Sequence, residues 1–333
     1  MNEDHIVEKI AAAFSSKQRA KTANRRLVLG IGDDAAIMRP RPGADWVVTT
    51  DAFIEGVHFL PTHPADSAGY KALARATSDI AAMGAQPSYF LLTLGVPATR
   101  TARWLSRFLG GMSRAARELQ LSLVGGDTTK TDDVIVSITV IGEIRRGLAV
   151  RRSGAKPGDR IYVSGKLGAA EVGLQLALKG QVRRKSLQPY LQPHLCPRIR
   201  LKLGQWLAHH RIASAMMDIS DGLSTDLRRL CAASRVGARL NADSIPCIAI
   251  PSFVARRLGN RCDPLKMALH GGEDYQLLFT VPQEHENRLR LAPRGSEISR
   301  IGEIVPGSGV VLVSSGGRGK NLLARGWDPF RRQ

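Results

Sequence analysis

Long apolar runs, paired cysteines and a phosphate-binding P-loop are all missing from this 333-residue chain. No apolar stretch approaches the roughly 20 residues that a bilayer-spanning helix needs. The opening MNEDHIVEKI starts on acids and lacks the basic-then-apolar order of a secretory signal. A cytoplasmic location with no membrane partner is therefore expected. Cys196, Cys231, Cys247 and Cys262 are far apart with no C-x-x-C. Free thiols packed as small hydrophobes fit that spacing better than a zinc site. Aromatic residues make up only 5% of the chain, which is thin for stacking on nucleic-acid bases. No G-x-x-x-x-G-K-[S/T] occurs; the lookalike GGRGKN at Gly316–Asn321 lacks both the spacing and the final hydroxyl.

What is abundant is positive charge, a formal +19. It is dispersed in pairs such as Arg25-Arg26, Arg145-Arg146, Arg183-Arg184 and Arg256-Arg257, with no dense basic block. That distribution reads as solvated surface rather than a nucleic-acid footprint, so no nucleic-acid partner is expected. A basic exterior still draws phosphorylated ligands. Hydrophobic content of 43% with 23% charged residues is ordinary for a globular protein, and the length suggests two domains.

Apolar runs predict strands at 27–31, 46–50, 89–95, 121–124 and 134–141, with helices at 66–83 and 101–119. Leu73, Ala76, Ile80 and Met83 share one helical face, and Gly84 is placed to end it. The glycine- and proline-punctuated RRSGAKPGD at 151–159 reads as a junction. Beyond it come strands at 160–164, 214–219, 277–281, 298–304 and 310–313, with helices at 169–179, 197–209 and 223–233. The basic stretch 181–197 is expected to be an exposed loop. The chain is thus expected to be α+β, with domains at 1–150 and 151–333 and sheets that are not purely parallel.

Against the basic background, the segment LVLGIGDDAAIM sets Asp33 and Asp34 directly after a Gly-x-Gly. It nearly fits the dinucleotide fingerprint, but two carboxylates would repel the pyrophosphate, and Pro40 and Pro42 prevent a long helix from following. An acid pair on a tight turn is better suited to a cation. Further acids are expected where strands run out: Asp51 after Thr49 and Thr50, Asp127 after Gly125 and Gly126, and Asp218 and Asp221 around Ser220. Asp79 lies on a helix, where an (i, i+4) pair with Arg75 is the ordinary alternative. Asp221 has one too, as a turn or N-cap residue, and Asp33-Asp34 as turn chemistry. Carboxylates and hydroxyls without clustered His or Cys suit a hard cation such as Mg²⁺, which characteristically shares its shell with substrate phosphates.

The motifs GIGDDAA, TTDAFIEGVHF, KALARATSDIAAMGA, VGGDTT, RRSGAKPGD, DISDGLSTDL, GGEDYQLLFTV and GWDPF, in that order, resemble the thiamine-monophosphate kinases. That family lies in the ATP-binding superfamily of aminoimidazole ribonucleotide synthetase and selenophosphate synthetase. The resemblance runs from about Gly30 to Phe330. It implies an N-terminal α+β domain that binds ATP and Mg²⁺ and whose sheet pairs with its twin in a homodimer, followed by an α/β-like domain that completes the nucleotide and substrate site. It implies Asp34, Thr49, Asp51, Asp79, Asp127, Asp218 and Asp221 as ligands to several Mg²⁺ ions. Thr50, Gly126, Arg152 and Ser220 are implied as ATP contacts, and His58, Glu273 and Trp327 as the holders of thiamine monophosphate. The implied reaction makes thiamine diphosphate and ADP by direct in-line transfer with no general base assigned.

Two features separate the branches: selenophosphate synthetases carry a reactive residue near the start, whereas the first cysteine here is Cys196, and the cyclo-ligase lacks the E-G-V-H-F and G-W-D features. Pro329 stands where the family's terminal motif commonly has histidine. His58 as an ordinary satisfied polar residue and Trp327 as a packing anchor remain alternatives.

Overall fold

A computed structural model of the chain describes residues 3–15, 26–31, 35–314, 316–317 and 319–330. Asp33 and Asp34, with the metal role expected of the latter, lie outside the described residues. The chain groups into two units, Met1–Ile80 with Gln86–Gly147, and Ala81–Ala85 with Leu148–Gln333.

The first unit contains α1 (Glu3–Ser15), a short antiparallel ribbon of β1 (Leu27–Leu29) and β2 (Ile37–Met38), then β3 (Ala44–Ile54), α2 (Ala65–Ala82), β4 (Gln86–Val96), α3 (Arg103–Leu119), β5 (Ser122–Lys130) and β6 (Ile135–Arg145). Its four-stranded sheet has the order β3-β6-β4-β5, with only the β4–β5 pair parallel. Leu73, Ala76 and Ile80 of α2 are buried, as are Phe108 and Met112 of α3 and Phe90, Val136, Ile138 and Val140 of the sheet. The two helices approach closely through glycines. A Cβ on Gly69 would lie 1.9 Å from the Phe108 carbonyl oxygen, and one on Gly111 1.8 Å from that of Asp66. Gly84, at φ +75°, follows the end of α2 as expected.

The second unit runs β7 (Arg160–Ser164), α4 (Ala169–Leu178), α5 (Gln188–Leu195), α6 (Leu201–His209), β8 (Ala215–Ile219), α7 (Leu223–Ser234), β9 (Gly237–Asn241), α8 (Ser252–Leu258), α9 (Pro264–His270), β10 (Gln276–Val281), β11 (Ile298–Val305), β12 (Val310–Val313) and β13 (Gly319–Asn321). Its seven-stranded sheet, β13-β12-β9-β11-β7-β10-β8, is antiparallel except at β12–β9. Ile161, Val163, Met217, Ile219, Leu278 and Ile301 of the sheet share one core with Leu223, Leu227 and Leu230 of α7.

Several expectations need correction. The stretch 181–197 is not an exposed loop: it holds α5, with Leu187, Leu191, His194 and Leu195 buried. Pro189 falls in the first turn, where a missing N–H costs nothing, and Pro193 forfeits one bond in an eight-residue helix. The helix expected from Pro197 begins instead at Leu201, after Arg200 has turned its Nε to the Gln276 side chain at 2.6 Å. Asp51 and Asp127 do not end their strands: β3 continues to Ile54 and β5 to Lys130, because β6 and β4 offer continuous pairing partners. Asp218 likewise lies within β8. The elements α1, β9, α8, α9 and β13 were not expected.

Candidate active site

In the first unit β3 divides its side chains between two faces, as period-2 geometry requires. Thr49 and Asp51 are half-buried toward α2. The Thr49 hydroxyl donates to Asp79 Oδ2 at 2.6 Å. Arg75 reaches across from α2 to Asp51, with Nε 2.7 Å from Oδ2 and Nη2 3.0 Å from Oδ1, and its guanidinium lies 5.8 Å over the Phe53 ring. Arg75 thus pairs with Asp51 and not, as the helical spacing allows, with Asp79. Thr50 is on the other face and accepts from Thr139 at 3.2 Å.

Asp127 is in β5, at the opposite edge of the sheet from β3. Three strand spacings separate those edges, about 14 Å, so Asp51 and Asp127 of one sheet do not share an ion. A Cβ on Gly126 would fall 1.9 Å from the Leu92 carbonyl oxygen, so strand packing alone demands glycine there. His58 accepts the Ile54 N–H through Nδ1 at 3.0 Å, and its carbonyl accepts from the buried Lys71 at 3.2 Å.

In the second unit Asp218, Ser220, Asp221, Glu273 and Trp327, but not Arg152, are tied to one turn. β8 carries the buried Asp218 into Ser220 and Asp221, and α7 follows Gly222, at φ +107°. Asp226, fully buried on the first turn of α7, accepts the Ser220 N–H at 3.1 Å and the Asp221 N–H at 3.0 Å through one oxygen. Its other oxygen takes Arg229 at 2.9 Å, and Arg229 also binds the Asp221 carboxylate. Burial, with the Asp221 charge adding, pushes the Asp226 carboxyl up to about 7.

The Ser220 carbonyl accepts the Glu273 N–H at 2.8 Å, and the Asp221 carbonyl accepts the Trp327 N–H at 2.9 Å. A Cβ on Gly326 would lie 1.9 Å from that same Asp221 oxygen, which explains the glycine before the tryptophan. The Trp327 side of GWDPF is therefore anchored upstream of Pro329. Trp327 is 40% exposed, unlike a sealed packing anchor. Glu273 has a left-handed φ of +67° and its carboxylate is 3.0 Å from Nδ1 of His194. Asp274, buried, accepts the N–H groups of Gly168 at 2.6 Å and Ala170 at 3.0 Å, capping α4. Burial pushes its carboxyl up to about 7 against the pull of those bonds. Arg152 is exposed, with its carbonyl accepting from Ser234 at 3.1 Å.

Residue-type reasoning singled out acids for a cation and did not single out Asp226, Asp274 or His194. Asp226 and Asp274 stand inside the quoted motifs DISDGLSTDL and GGEDYQLLFTV, so their position was on view but not their buried task. Among the described residues, no three of His, Cys, Asp and Glu gather to hold a metal by themselves. The donors that do gather are carboxylate and hydroxyl oxygens, which fit Mg²⁺ with phosphates completing its shell.

Two family models match the chain: AIR synthase related protein, N-terminal domain, over residues 32–144, and AIR synthase related protein, C-terminal domain, over residues 156–315. Both halves of the class that the fold suggests are thus present, in order. The chain belongs to the thiamine-monophosphate kinases. It is 38% identical to that enzyme from Salmonella typhimurium over 92% of this chain and 91% of the relative, and 35% identical to the Escherichia coli K12 enzyme over 94% and 95%.

Among solved structures, the thiamine-monophosphate kinase of Stenotrophomonas maltophilia superposes with a TM-score of 0.78 at 36% identity, covering 94% of this chain and 96% of that one. AaThiL complexed with AMPPCP and TMP gives 0.77 at 31%, covering 98% and 97%. Hydrogenase maturation protein HypE, at 21% identity and a TM-score of 0.75, shares the fold alone. No helix among the described residues is long and apolar enough to cross a membrane.

Proposed function

We propose that the chain transfers a phosphoryl group from ATP to the phosphate of thiamine monophosphate, giving thiamine diphosphate and ADP. Family membership and the relative solved with an ATP analogue and TMP support this reading. The observation that carries it is the Ser220–Asp221 turn, to which Glu273 and Trp327 are both tied by backbone hydrogen bonds. A thiazolium cation and an aminopyrimidine call for an aromatic face and a carboxylate, which Trp327 and Glu273 supply. His58 is the third residue assigned to this substrate, and Thr50, Gly126, Arg152 and Ser220 are assigned to ATP.

The acceptor phosphate has a second pKa near 6 and is mostly dianionic at neutral pH, so no side chain is needed as a base. The barrier is electrostatic: charges 4 Å apart interact by roughly 4 kcal/mol at an effective dielectric of 20, so two dianions repel by on the order of 16 kcal/mol. Mg²⁺, when bound, supplies the countercharge and a template for in-line transfer. The residues assigned to hold it are Asp34, Thr49, Asp51, Asp79, Asp127, Asp218 and Asp221. Arg152 adds fixed positive charge.

The wide separation of Asp51 and Asp127 on one sheet favours a homodimer in which a second sheet contributes. The outer face of β3 offers Trp46 and Val48, 42% and 59% exposed, for that contact. The cytoplasm is the assigned location. Incubation with Mg-ATP and either thiamine monophosphate or free thiamine tests the reading. Thiamine diphosphate should form from the first, whereas free thiamine should be left unphosphorylated, since its alcohol needs a base that is not assigned. Efficient use of free thiamine would overturn it.

A further inference from the structure

The helix α5 delivers a buried histidine to the carboxylate assigned to the substrate. His194 is 1% exposed, and its Nδ1 lies 3.0 Å from Oε2 of Glu273, itself 23% exposed. The approach depends on a glycine: a Cβ on Gly173 of α4 would come within 2.6 Å of the His194 Cβ and 3.0 Å of the Tyr190 carbonyl oxygen.

The backbone of Glu273 is held from both sides. Its N–H is given to Ser220, its φ is +67°, and the next residue, Asp274, is buried on the N-terminus of α4. With the main chain fixed, only the side-chain torsions remain to be set. Glu171 of α4 opposes a stable Glu273 carboxylate, because the two negative charges interact; burial first and Glu273 second push the Glu171 carboxyl upward. A hydrogen-bonded imidazole offsets that repulsion and gives the side chain one direction. A carboxylate offers about four acceptor positions, so one engaged by His194 keeps capacity for another donor.

We infer that His194 is a positioning residue that fixes the Glu273 carboxylate to accept a hydrogen bond from the amino-bearing heteroaromatic ring of the substrate. The inference rests on the reading of Glu273 as a substrate contact. It assigns to α5 a part in acceptor recognition and none in phosphoryl transfer itself.

The test is steady-state kinetics on His194→Asn, His194→Gln and His194→Leu, with Glu273→Gln and the Glu273→Gln/His194→Leu double variant alongside. Asn keeps an N–H donor near the place of Nδ1, whereas Gln moves it by about a bond length. Losing a hydrogen bond to a charged group should raise the KM for thiamine monophosphate about tenfold in Leu and several-fold in Gln. KM for ATP and kcat should change little, Asn should stay near wild type, and the double variant should be no worse than Glu273→Gln.

An unchanged KM in both Leu and Gln, with Glu273→Gln raised, would overturn the role of His194 alone. An unchanged KM in Glu273→Gln would remove Glu273 from the site and the inference with it. If Leu does not fold, the Asn and Gln pair still decides. Melting temperatures lowered equally in Asn and Gln, with both KM values unmoved, would mean that His194 only packs.

Discussion

Arg75 occupies a carboxylate that the metal reading requires, and this changes what a substitution there should do. Asp51→Asn should abolish turnover. It should also cost about 1–2 kcal/mol of stability, because Arg75 is only 14% exposed and its two-point contact with the Asp51 carboxylate would lose its charge. Asp221→Asn should be as inactive, with a smaller loss, since Arg229 retains Asp226. Activity assays at limiting Mg²⁺ beside thermal melts separate the two effects, and near-full activity in either variant would remove that residue from the metal set.

Trp327→Ala should raise the KM for thiamine monophosphate roughly 5- to 30-fold, as expected from a cation–π contact worth about 1–2 kcal/mol. Trp327→Phe should stay near wild type, and the KM for ATP should not move. With 40% of the residue exposed, the melting temperature should fall little. A drop of several degrees with unchanged KM would restore the packing role.

At this scale the positions of the acids in the motifs were legible, because hard-cation chemistry singles out Asp by type. His194, Asp226 and Asp274 were not legible in their buried tasks. Each acts by being buried against a partner 79, 5 or 6, and 104 or 106 positions away, as the pairs His194–Glu273, Asp226–Asp221 or Ser220, and Asp274–Ala170 or Gly168 show. Sequence spacing alone does not rank those pairings above others.

Among the elements, α4 begins on a buried acid, and pH should reveal it. The Asp274 carboxyl is raised to about 7 from an ordinary value near 4, with burial as the leading cause. A raised folded-state value means that the stability contribution is complete below pH 4 and lost as pH rises through about 7. Asp226, also at about 7, acts with the same sign. In metal-free buffer the melting temperature should therefore fall between pH 5 and 8 through these two groups. Asp274→Asn should melt lower at pH 5, having surrendered one acceptor, yet show a shallower fall. An unchanged slope would mean that the helix cap stays ionised throughout.

Strand β12 and the helices α2, α3, α4 and α7 could be read from periodicity to within a few residues, since their apolar faces are continuous. The strand ends of β3 and β5 could not, because Thr and Asp at 49–51 and 127 look like exits until β6 and β4 are known to run beside them. In and just before α5 the residues Leu187, Leu191 and Leu195 recur every four positions, a helical signal masked by two prolines and basic neighbours.

For the whole molecule, the exposed Trp46 and Val48 on an edge strand are a costly surface to leave in water. Trp46→Glu with Val48→Lys should halve the mass measured by light scattering while leaving far-ultraviolet circular dichroism unchanged. It should also lower activity if the partner's sheet completes the site. A wild-type protein that is monomeric at micromolar concentration would end the homodimer proposal. The α+β character was legible from the alternation of elements. The seven-strand order was not, because its neighbours are set by packing across the sheet and not by succession along the chain.

The turn at Ser220 has a consequence for hydrogen exchange. Four amides from three separate stretches close on it: Ser220 and Asp221 on the buried Asp226, Glu273 on Ser220, and Trp327 on Asp221. Although Ser220 and Asp221 are only half-buried, none of these protons can meet solvent unless the knot of bonds opens. In heavy water they should exchange slowly and at related rates. Asp226→Asn should quicken Ser220 and Asp221 first, and then carry Glu273 and Trp327 with them as the turn loosens.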